Sequence, residues 1–234
     1  MNIVVEKNET KEIILSDFCS LTFEVRENAT LMLKCAAFEK IKNIAIEGVV
    51  AKNAVFNCVF ADFSYGKGSV KANVVLNDIG ALAKWNLVSL SSNDDNKKFD
   101  ISFIHNAQKT IADMNNYGVV LNKSRLVFSG VNHIHNGSIK SNSNQNAKII
   151  VFDKESQGKA NPILRIDEND VLASHAAIVG RLNDDHLFYL KSRGLTDAEA
   201  KALIVGGYLK PIGKYFNKKI QQQINDVIVR KCHV

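Results

Sequence analysis

Residues 173–209, ASHAAIVGRLNDDHLFYLKSRGLTDAEAKALIVGGYL, mark the place where the hydrophobic pattern of this 234-residue sequence changes. Before them, apolar and polar residues alternate in short stretches, which is the pattern of half-buried β-strands. After Gly180 the apolar residues recur at helical spacing instead. We therefore expect a β-rich core over residues 1–180 and a helical subdomain over residues 181–234.

The caps of two helices can be read from this stretch. Asn183 or Asp184 can cap the first helix, and Gly194 is a natural residue to end it. Thr196 and Glu199 have the spacing of a capping box for a second helix. The glycines at 206 and 207 and the proline at 211 should weaken or end that helix. We expect its buried stripe to consist of Ala200, Leu203, Ile204 and Tyr208, and an amphipathic piece to follow over about residues 212–229.

The β-rich part consists of alternating stretches that recur every ~10–13 residues. Their apolar sides carry Leu21, Phe23 and Val25; Leu31, Leu33 and Cys35; Ile44 and Ile46; Phe56, Cys58 and Phe60; Val70, Ala72, Val74 and Leu76; and Phe99, Ile101, Phe103 and His105. This spacing is compatible with a sandwich, a barrel or a β-helix. Hairpin dipeptides are few, and asparagine is frequent at the expected breaks, at positions 53, 73, 77, 115, 116, 122, 132 and 136. Those two features favour a solenoid-like sheet.

Composition and charge exclude several classes of protein. The chain is 46% hydrophobic and 23% charged, which is typical of a globular protein and not of a disordered one. No apolar run reaches the ~20 residues of a membrane-spanning helix, so we expect no membrane partner. Residues 210–234 contain six lysines or arginines against one aspartate, an excess of five positive charges that we interpret as a solvated helix face. Without a basic stripe elsewhere, nucleic acid is not an expected partner.

The four cysteines predict no knuckle-type metal site, because no Cys-x-x-Cys pair occurs. Cys35 and Cys58 alternate with large apolar residues and are expected to be buried, reduced thiols. A reducing compartment follows, hence the cytoplasm, or a plastid-type organelle in a eukaryote.

The junction between the two parts resembles the C-terminal core of the SufB/SufD family, scaffold proteins of Suf iron–sulfur cluster assembly. The family pattern is a strand, Ser/Glu-His-x-Ala-x-x-Gly/Ser, an acidic turn, and Leu-Phe-Tyr-Leu/Cys-x-x-Arg-Gly. This sequence has SHAAIVG at 174–180, NDD at 183–185 and LFYLKSRG at 187–194. Weaker matches lie upstream: HNAQKT at 105–110, LVFSG at 126–130, KIIVFDKES at 148–156 and NPILRI at 161–166. The resemblance covers about residues 70–217.

The resemblance implies a right-handed parallel β-helix core with a C-terminal helical subdomain. It also implies pairing with a SufB-type paralogue, docking of the SufC-type ATPase on the helices, and a homodimer when the chain is isolated. The SufD branch fits better than SufB, because Ala176 stands where SufB has glutamate and residues 146–165 contain no cysteine. A SufB-like paralogue and a self-associating β-helix scaffold are the alternatives. The family's N-terminal helical region is expected to be absent, since the sequence opens on strands.

His175 is the residue to which the resemblance gives a chemical role. Imidazole is a good iron ligand, and the resemblance makes His175 a candidate iron ligand at the subunit interface. One histidine cannot hold a cluster, so the iron–sulfur cluster would be transient and shared with the partner subunit. A hydrogen-bonded core histidine is the alternative interpretation. The resemblance leaves flavin binding open.

The helices carry the candidate partner-binding residues. Phe188, Tyr189 and Leu190 are consecutive, so at least one must point away from the core. With Arg193 and Gly194 they form the expected docking surface for the ATPase, although packing within the chain is an alternative. We also expect the helices to cap the open end of the β-helix.

Other polar residues suggest no enzyme. No phosphate-binding loop or nucleophile motif is present. Asp153, Asp167 and Asp170 are the only dense acids, so a polysaccharide-acting β-helix enzyme is the less favoured alternative. His105 is expected to be structural. His133 and His135 could form a metal pair on a strand, but the following Asn-Gly favours a turn.

Overall fold

The computed structural model describes residues 1–15 and 19–232. It contains fourteen strands: β1 (Asn2–Val5), β2 (Thr10–Leu15), β3 (Leu21–Val25), β4 (Thr30–Ala37), β5 (Ile44–Val50), β6 (Val55–Asp62), β7 (Lys67–Leu76), β8 (Leu82–Ser91), β9 (Asn96–His105), β10 (Ile111–Val120), β11 (Arg125–Ile134), β12 (Asn142–Val151), β13 (Gln157–Ile166) and β14 (Leu172–Arg181). The helices are α1 (Asp184–Ser192), α2 (Asp197–Leu209) and α3 (Lys218–Cys232), with a 3₁₀ helix (Lys210–Tyr215) between α2 and α3.

The strands form two parallel seven-stranded sheets. One sheet contains the odd-numbered strands and the other the even-numbered strands, so the chain alternates between the sheets and climbs one strand at each passage. The result is a parallel β-solenoid of about six turns, called the column below. The expected β-helix with a C-terminal helical part is therefore confirmed.

The inward-facing residues of both sheets form the core of the column. The alternating residues expected from the sequence are all buried, and aromatic rings stack between turns, as in the 4.2 Å contact between the ring centroids of Phe23 and Phe56. Cys35 and Cys58 lie in this core as free thiols, as expected. Each turn of the column therefore stabilises the next by apolar burial along the axis.

Asparagines form many of the corners of the column. Asn8, Asn28 and Asn53 each follow an odd-numbered strand and have a positive φ, a conformation that asparagine tolerates better than most residues. The amide of Asn28 donates to Oδ1 of Asn8 over 3.2 Å, which links successive corners. The expectation that asparagines mark the breaks between strands was wrong at positions 73, 115, 116 and 132, which lie inside strands. Some of the asparagines inside strands pair from one turn to the next, as Asn146 does by donating to Oδ1 of Asn115 over 3.1 Å.

The helices pack on the side of the even-numbered sheet and do not cap the end of the column, which corrects our expectation. The second halves of the even-numbered strands carry apolar residues on their outer face too, among them Val59, Val88 and Leu90. Val205 and Ile228 of the helices bury them in a second hydrophobic cluster. A sheet that is covered on both faces carries apolar residues on both faces. The helices therefore pack where the outer face of the even-numbered sheet is apolar.

The capping residues of the helices are as expected, but the buried stripe of α2 is not. Asn183 caps α1, Gly194 follows α1 with a φ of +92°, and Thr196 and Glu199 form the complete capping box of α2. In α2 the structure buries Ala200, Val205, Gly206 and Leu209, while Leu203 and Tyr208 are exposed. Apolar residues lie on several sides of this helix, so helical spacing alone does not determine which side faces the sheet.

Lys97 is a fully buried cation inside the column wall. Its ammonium donates to Oδ2 of Asp62 over 2.9 Å and to the carbonyls of Ser64 and Leu90 over 2.8 and 2.9 Å. Burial alone would raise the pKa of Asp62, but Lys97 and hydrogen bonds from Ser64 and Ser89 outweigh it and hold that pKa below its usual range. All three donors of Lys97 are thus satisfied within the column.

Lys231 brings a second ammonium from α3 to the same place. It donates to the carbonyls of Ser64 and Leu90 over 2.6 and 3.3 Å, and to Oδ2 of Asp95 over 3.3 Å. Burial, together with the nearby Lys97, lowers the pKa of Lys231 to about 8. The basic C-terminal segment is therefore not entirely a solvated face, because one of its lysines anchors α3 to the column.

Candidate functional site

The column ends at β13 and β14, and neither the helices nor another strand of the described chain covers this end, which is called the open end below. Each of these strands is the last of its sheet and has a hydrogen-bonded neighbour on one side only. Several of their apolar side chains are exposed: Ile163, Ile166, Leu172, Ile178 and Val179. An unpaired strand edge with exposed apolar residues is a surface on which another chain can add strands.

His175 lies in the middle of β14, beside Gln145 of β12 in the parallel register. Ser143, Gln145 and Ile149 of β12 face the inside of the column and are buried. By register, His175 belongs to the same inward row, one turn further along. No further turn among the described residues covers His175, so its imidazole is exposed and makes no hydrogen bond to a described residue. The alternative of a hydrogen-bonded core histidine is therefore wrong.

The interior of the column becomes polar beneath His175. Gln145 donates to the carbonyl of Ile163 over 3.1 Å, and Asn132 donates to Oγ of Ser143 over 2.7 Å. The side-chain oxygens of Asn132 and Gln145 are buried and accept no hydrogen bond from any described residue. The apolar core thus gives way to hydrogen-bonding groups as the column approaches its open end.

His105 belongs to this polar interior and has a structural role, as expected. Its Nδ1 lies 2.7 Å from Oγ1 of Thr110 and its Nε2 lies 3.1 Å from Oγ of Ser143. Burial lowers the pKa of His105 to about 4, so the ring is neutral at physiological pH. It links one turn of the column to the next and has no exposed nitrogen to offer a ligand.

The described residues contain no group of three or more histidine, cysteine, aspartate or glutamate side chains that could hold a metal ion. Cys35 and Cys58 lie inside the column on its early turns, and Cys232, the last residue of α3, is buried in the cluster between the helices and the sheet. Burial raises the pKa of Cys58 well above its usual range and that of Cys232 to about 11, so both stay protonated. His175 is therefore not part of a metal-binding group among the described residues.

His133 and His135 come together at the corner that follows β11. Their ring centroids are 4.0 Å apart, and Nε2 of His133 lies 2.7 Å from Oδ2 of Asp167. His133 is in the strand and His135 follows it directly, so the expected turn begins one residue later. The two rings and the Asp167 carboxylate thus form a hydrogen-bonded corner.

Asp153 does not converge with the other two acids considered for a polysaccharide-acting enzyme. Asp153 lies in the turn before β13, whereas Asp167 and Asp170 lie in the turn after it. β13 has ten residues, so about 33 Å separates the two groups. Paired carboxylates of a glycosidase lie within about 10 Å of each other.

The candidate docking residues lie on a helix that buries none of its side chains. Phe188 is 74% and Tyr189 56% exposed, and the guanidinium of Arg193 lies 5.2 Å from the centroid of the Tyr189 ring. Leu190 is half-buried, and Gly194 ends the helix. α1 contacts α2 and presents an aromatic and cationic surface to the outside.

Sequence reasoning expected the isolated chain to pair through an exposed surface at this junction, but it did not identify Ile163, Ile166, Ile178 and Val179 as exposed apolar residues there. Leu172 and Ile178 look like ordinary strand residues in the sequence. The available signal was that β14 carries apolar residues on both faces, at Ile178 and Val179, as the covered halves of the even-numbered strands do. A strand of this kind is stable when other residues pack on both of its faces. In the described chain, both Ile178 and Val179 of β14 remain exposed.

Comparison with known proteins places these features in a family. Residues 15–208 match the family model "SUF system FeS cluster assembly, SufBD core domain". The chain is 33% identical over 145 residues to the iron-sulfur cluster assembly protein SufD of Bacillus subtilis, which covers 62% of the chain and 33% of that protein. It is 24% identical over 189 residues to a SufBD family protein of Staphylococcus haemolyticus, which covers 81% of the chain and 34% of that protein. The chain thus spans about a third of the length of these relatives.

Proposed function

Because the chain belongs to the SufBD core-domain family, we propose that it is a SufD-like scaffold subunit in iron–sulfur cluster assembly and has no enzymatic activity of its own. The observation that carries the proposal is His175, an exposed imidazole in the inward row of the column at its uncovered end. The cluster is the cargo of this scaffold, bound transiently. The free thiols agree with a reducing compartment such as the cytoplasm.

We propose that the open end pairs with a SufB-type paralogue. Three features support this pairing: the free edges of β13 and β14, their exposed apolar residues, and the single ligand at His175. A partner strand added to β14 would satisfy the free backbone groups and bring further ligands beside His175. Ala176 and the absence of cysteine from residues 146–165 support the SufD-like assignment.

We propose that a SufC-type ATPase docks on α1 and α2, through Phe188, Tyr189, Leu190, Arg193 and Gly194. The support is the unburied α1, whose aromatic rings have no cover within the described chain. α2 packs against β8 and β10, and Nζ of Lys148 on β12 lies 3.3 Å from the hydroxyl of Tyr208. A rotation of the docked ATPases could therefore move the columns as rigid bodies and open or close the paired interface.

The role of His175 in chemistry follows from its geometry. A neutral imidazole has one lone pair for iron, and its exposed position leaves this nitrogen accessible. Beneath it, the buried amide of Gln145 and the hydroxyl of Ser143 provide a polar floor. The column thus holds the ring at the end without a competing hydrogen bond from described residues.

His175→Ala tests the proposal in the complex with the paralogue and the ATPase. We expect the complex to form normally but to contain little iron and acid-labile sulfide, because one cluster ligand is lost. His175→Cys should restore part of the loading, since thiolate also binds iron, and His175→Gln should not. His186→Ala, which removes an exposed imidazole from α1, is the matched control. Normal iron and sulfide in the His175→Ala complex would disprove the ligand role.

Tyr189→Asp tests the docking surface. A charge within a buried aromatic contact should cost a few kcal/mol of binding, so capture of the ATPase should fall strongly. Tyr65→Asp changes an equally exposed tyrosine at a corner of the column and should leave capture unchanged. Equal capture by both variants, with the fold intact by circular dichroism, would remove Tyr189 from the interface.

A further inference from the structure

A cleft of about 300 Å³ lies between the outer face of the even-numbered sheet and the 3₁₀ helix. Its floor is formed by β8 and β10, and its wall by the end of α2 and by the 3₁₀ helix. Three of the five tyrosines of the chain line it, at positions 117, 208 and 215. This volume and this aromatic lining are typical of small-molecule sites, and the cleft is called the tyrosine cleft below.

Gly207 leaves the helical wall of the tyrosine cleft bare. It lies inside α2, two residues before the helix ends, where glycine is less favourable than alanine. No close packing requires a glycine there, because a Cβ at this position would meet no atom within 4 Å. Gly206 differs, since a Cβ there would come within 2.9 Å of Cε of Lys210. Packing within the chain therefore does not explain Gly207, whereas space for a ligand beside the helix does.

Two half-buried carboxamides belong to the floor of the cleft. Asn86 of β8 and Asn115 of β10 lie side by side in the parallel register. Oδ1 of Asn115 accepts from Asn146 over 3.1 Å, but its own N–H groups and the whole side chain of Asn86 have no hydrogen-bond partner among the described residues. Free donors and an acceptor side by side match the polar edge of a heterocycle such as a purine.

The tyrosine cleft also carries positive charge. Lys214 lines it, with Nζ 5.0 Å from the centroid of the Tyr215 ring, and Nζ of Lys148 lies 3.3 Å from the hydroxyl of Tyr208. Neither lysine forms an ion pair with a described residue, and no carboxylate is among the described residues that line the cleft. The two ammonium groups are therefore available to a phosphate, for which lysine is a common binding residue.

One acid on the same side of the sheet leaves this charge unchanged. Asp113 accepts a hydrogen bond from the amide of Asn144 over 3.1 Å and lies beside Lys84 in the parallel register. It precedes Tyr117 by four residues, which is about 13 Å along β10 and beyond the Debye length of about 8 Å at physiological salt. The lysines therefore determine the sign of the charge at the cleft.

We propose that the tyrosine cleft binds a nucleoside monophosphate. The base stacks on the tyrosine rings, its polar edge contacts the carboxamides of Asn86 and Asn115, and the phosphate lies beside the ammonium groups of Lys148 and Lys214. Lys148 is next to Tyr117 in the register and thus about 7 Å along the strands from the carboxamides. The two ammonium groups match the charge of about −1.5 to −2 of one phosphate. The site lies apart from His175 and the open end, so it does not depend on the function proposed above.

Isothermal titration calorimetry of the isolated chain tests the ligand, with adenosine 5′-monophosphate as the probe. We expect one molecule to bind per chain, with an affinity that falls as the salt concentration rises. Adenosine, which lacks the phosphate, and ribose 5-phosphate, which lacks the base, should each bind more weakly by about tenfold or more. No binding of adenosine 5′-monophosphate, or equally tight binding of either fragment, would overturn the proposal.

Gly207→Leu tests the position of the site. The leucine side chain should fill the space beside α2 and weaken the binding of adenosine 5′-monophosphate by about tenfold or more. The temperature of thermal denaturation should not fall, because the added Cβ meets no atom and leucine favours a helix. Gly207→Ala adds a single methyl group and should weaken binding less. Undiminished binding by a folded Gly207→Leu variant would overturn the proposal.

Lys214→Met tests the role of the charge, and Lys219→Met is the matched control, since Lys219 is exposed in the same basic segment but does not line the cleft. Lys214→Met should weaken the binding of adenosine 5′-monophosphate and leave that of adenosine unchanged, a difference that general damage to the fold would not produce. Lys219→Met should change neither. Equal losses in the two variants would indicate non-specific attraction and overturn the site. Iron loading of the His175→Ala complex is measured separately, so the two proposals fail independently.

Discussion

The side of the column beneath the helices and its open end both carry apolar residues on the outside of a sheet, yet the chain covers only the side. On the side, Val88 and Leu90 are buried by Val205 and Ile228. At the end, Leu172 is 70% exposed and the strand edges have no neighbour. The same kind of surface is covered within the chain in one place and left exposed in the other.

The two regions also treat charge differently. Beneath the helices, two ammonium groups and two carboxylates are buried together, and both ammonium groups donate to the same two carbonyls, those of Ser64 and Leu90. At the open end, cations and anions are exposed at opposite ends of β14, as Arg181 and Asp170 are. The buried lysine–aspartate contacts hold α3 in one position. The exposed charges at the open end are free to interact with a partner that carries complementary charges.

Lys97→Met is the substitution expected to damage the covered side most. It leaves the carboxylate of Asp62 buried without its ammonium, and breaking a buried pair in this way costs about 3–5 kcal/mol. Urea denaturation should show this loss in the free energy of unfolding. A loss below 1 kcal/mol would mean that Lys231 can move to take the place of Lys97.

The pH dependence of stability isolates Lys231. Its pKa falls from 10.5 in the unfolded chain to about 8 in the folded one, so between these pH values the unfolded chain binds more protons. The free energy of unfolding should therefore rise with pH across this window, by about 3 kcal/mol at 1.4 kcal/mol per pKa unit.

Lys231→Met should abolish this rise, and the difference between the two proteins is the quantity to measure. Cys232, whose pKa is raised to about 11, acts in the opposite direction above pH 9 in both proteins and cancels in the difference. At pH 7 the variant should be as stable as the wild type or more so, because burial disfavours the ammonium of Lys231, Lys97 still donates to the carbonyls of Ser64 and Leu90, and the Asp95 carboxylate still accepts from the backbone N–H groups of Gly66 and Ser92. Parallel pH profiles would show that Lys231 is not buried as a cation.

Much of the column was predictable because its signal is local. The alternation of apolar and polar residues around Phe99, Ile101 and Phe103 predicts which side chains of β9 face the core, and it does so without information about the neighbouring turns. The caps at Asn183 and Thr196 are equally local. The placement of the helices was not predictable in this way, because it depends on outward apolar residues from successive turns that meet only in the folded sheet.

The buried Lys231 and the exposed His175 show the same limit. Lys231 contacts Ser64, 167 residues away in the sequence, and nothing in its own segment distinguishes it from the exposed lysines nearby. The resemblance identified His175, but its exposure follows from the absence of a turn above β14, which is a property of the stacking. Local patterns therefore predict elements, and long-range packing decides which of their faces remain free.

Ile228→Val tests the hydrophobic contact between α3 and the sheet with a small change. Ile228 is fully buried in the second cluster, and removing one methylene from such a site costs about 0.5–1.5 kcal/mol. Thermal or urea denaturation measures the loss. Val229→Ala, at an exposed neighbouring position of the same helix, should change stability less. Equal losses would indicate that α3 is not held by its buried side.

Leu172→Ser has the smallest expected effect on the folding of one chain, and it distinguishes an end completed by a second chain from one that is merely exposed. Since Leu172 is 70% exposed, the free energy of unfolding of the monomer should change by no more than about 0.5 kcal/mol. Dimer dissociation, measured by sedimentation, should nevertheless increase, because the serine removes apolar area from the paired surface. Ile14→Ser is the matched control: Ile14 is 51% exposed on β2, the last strand of the same sheet at the opposite end of the column. If both substitutions weaken association equally, or neither does, the open end beside β14 is not the surface that pairs.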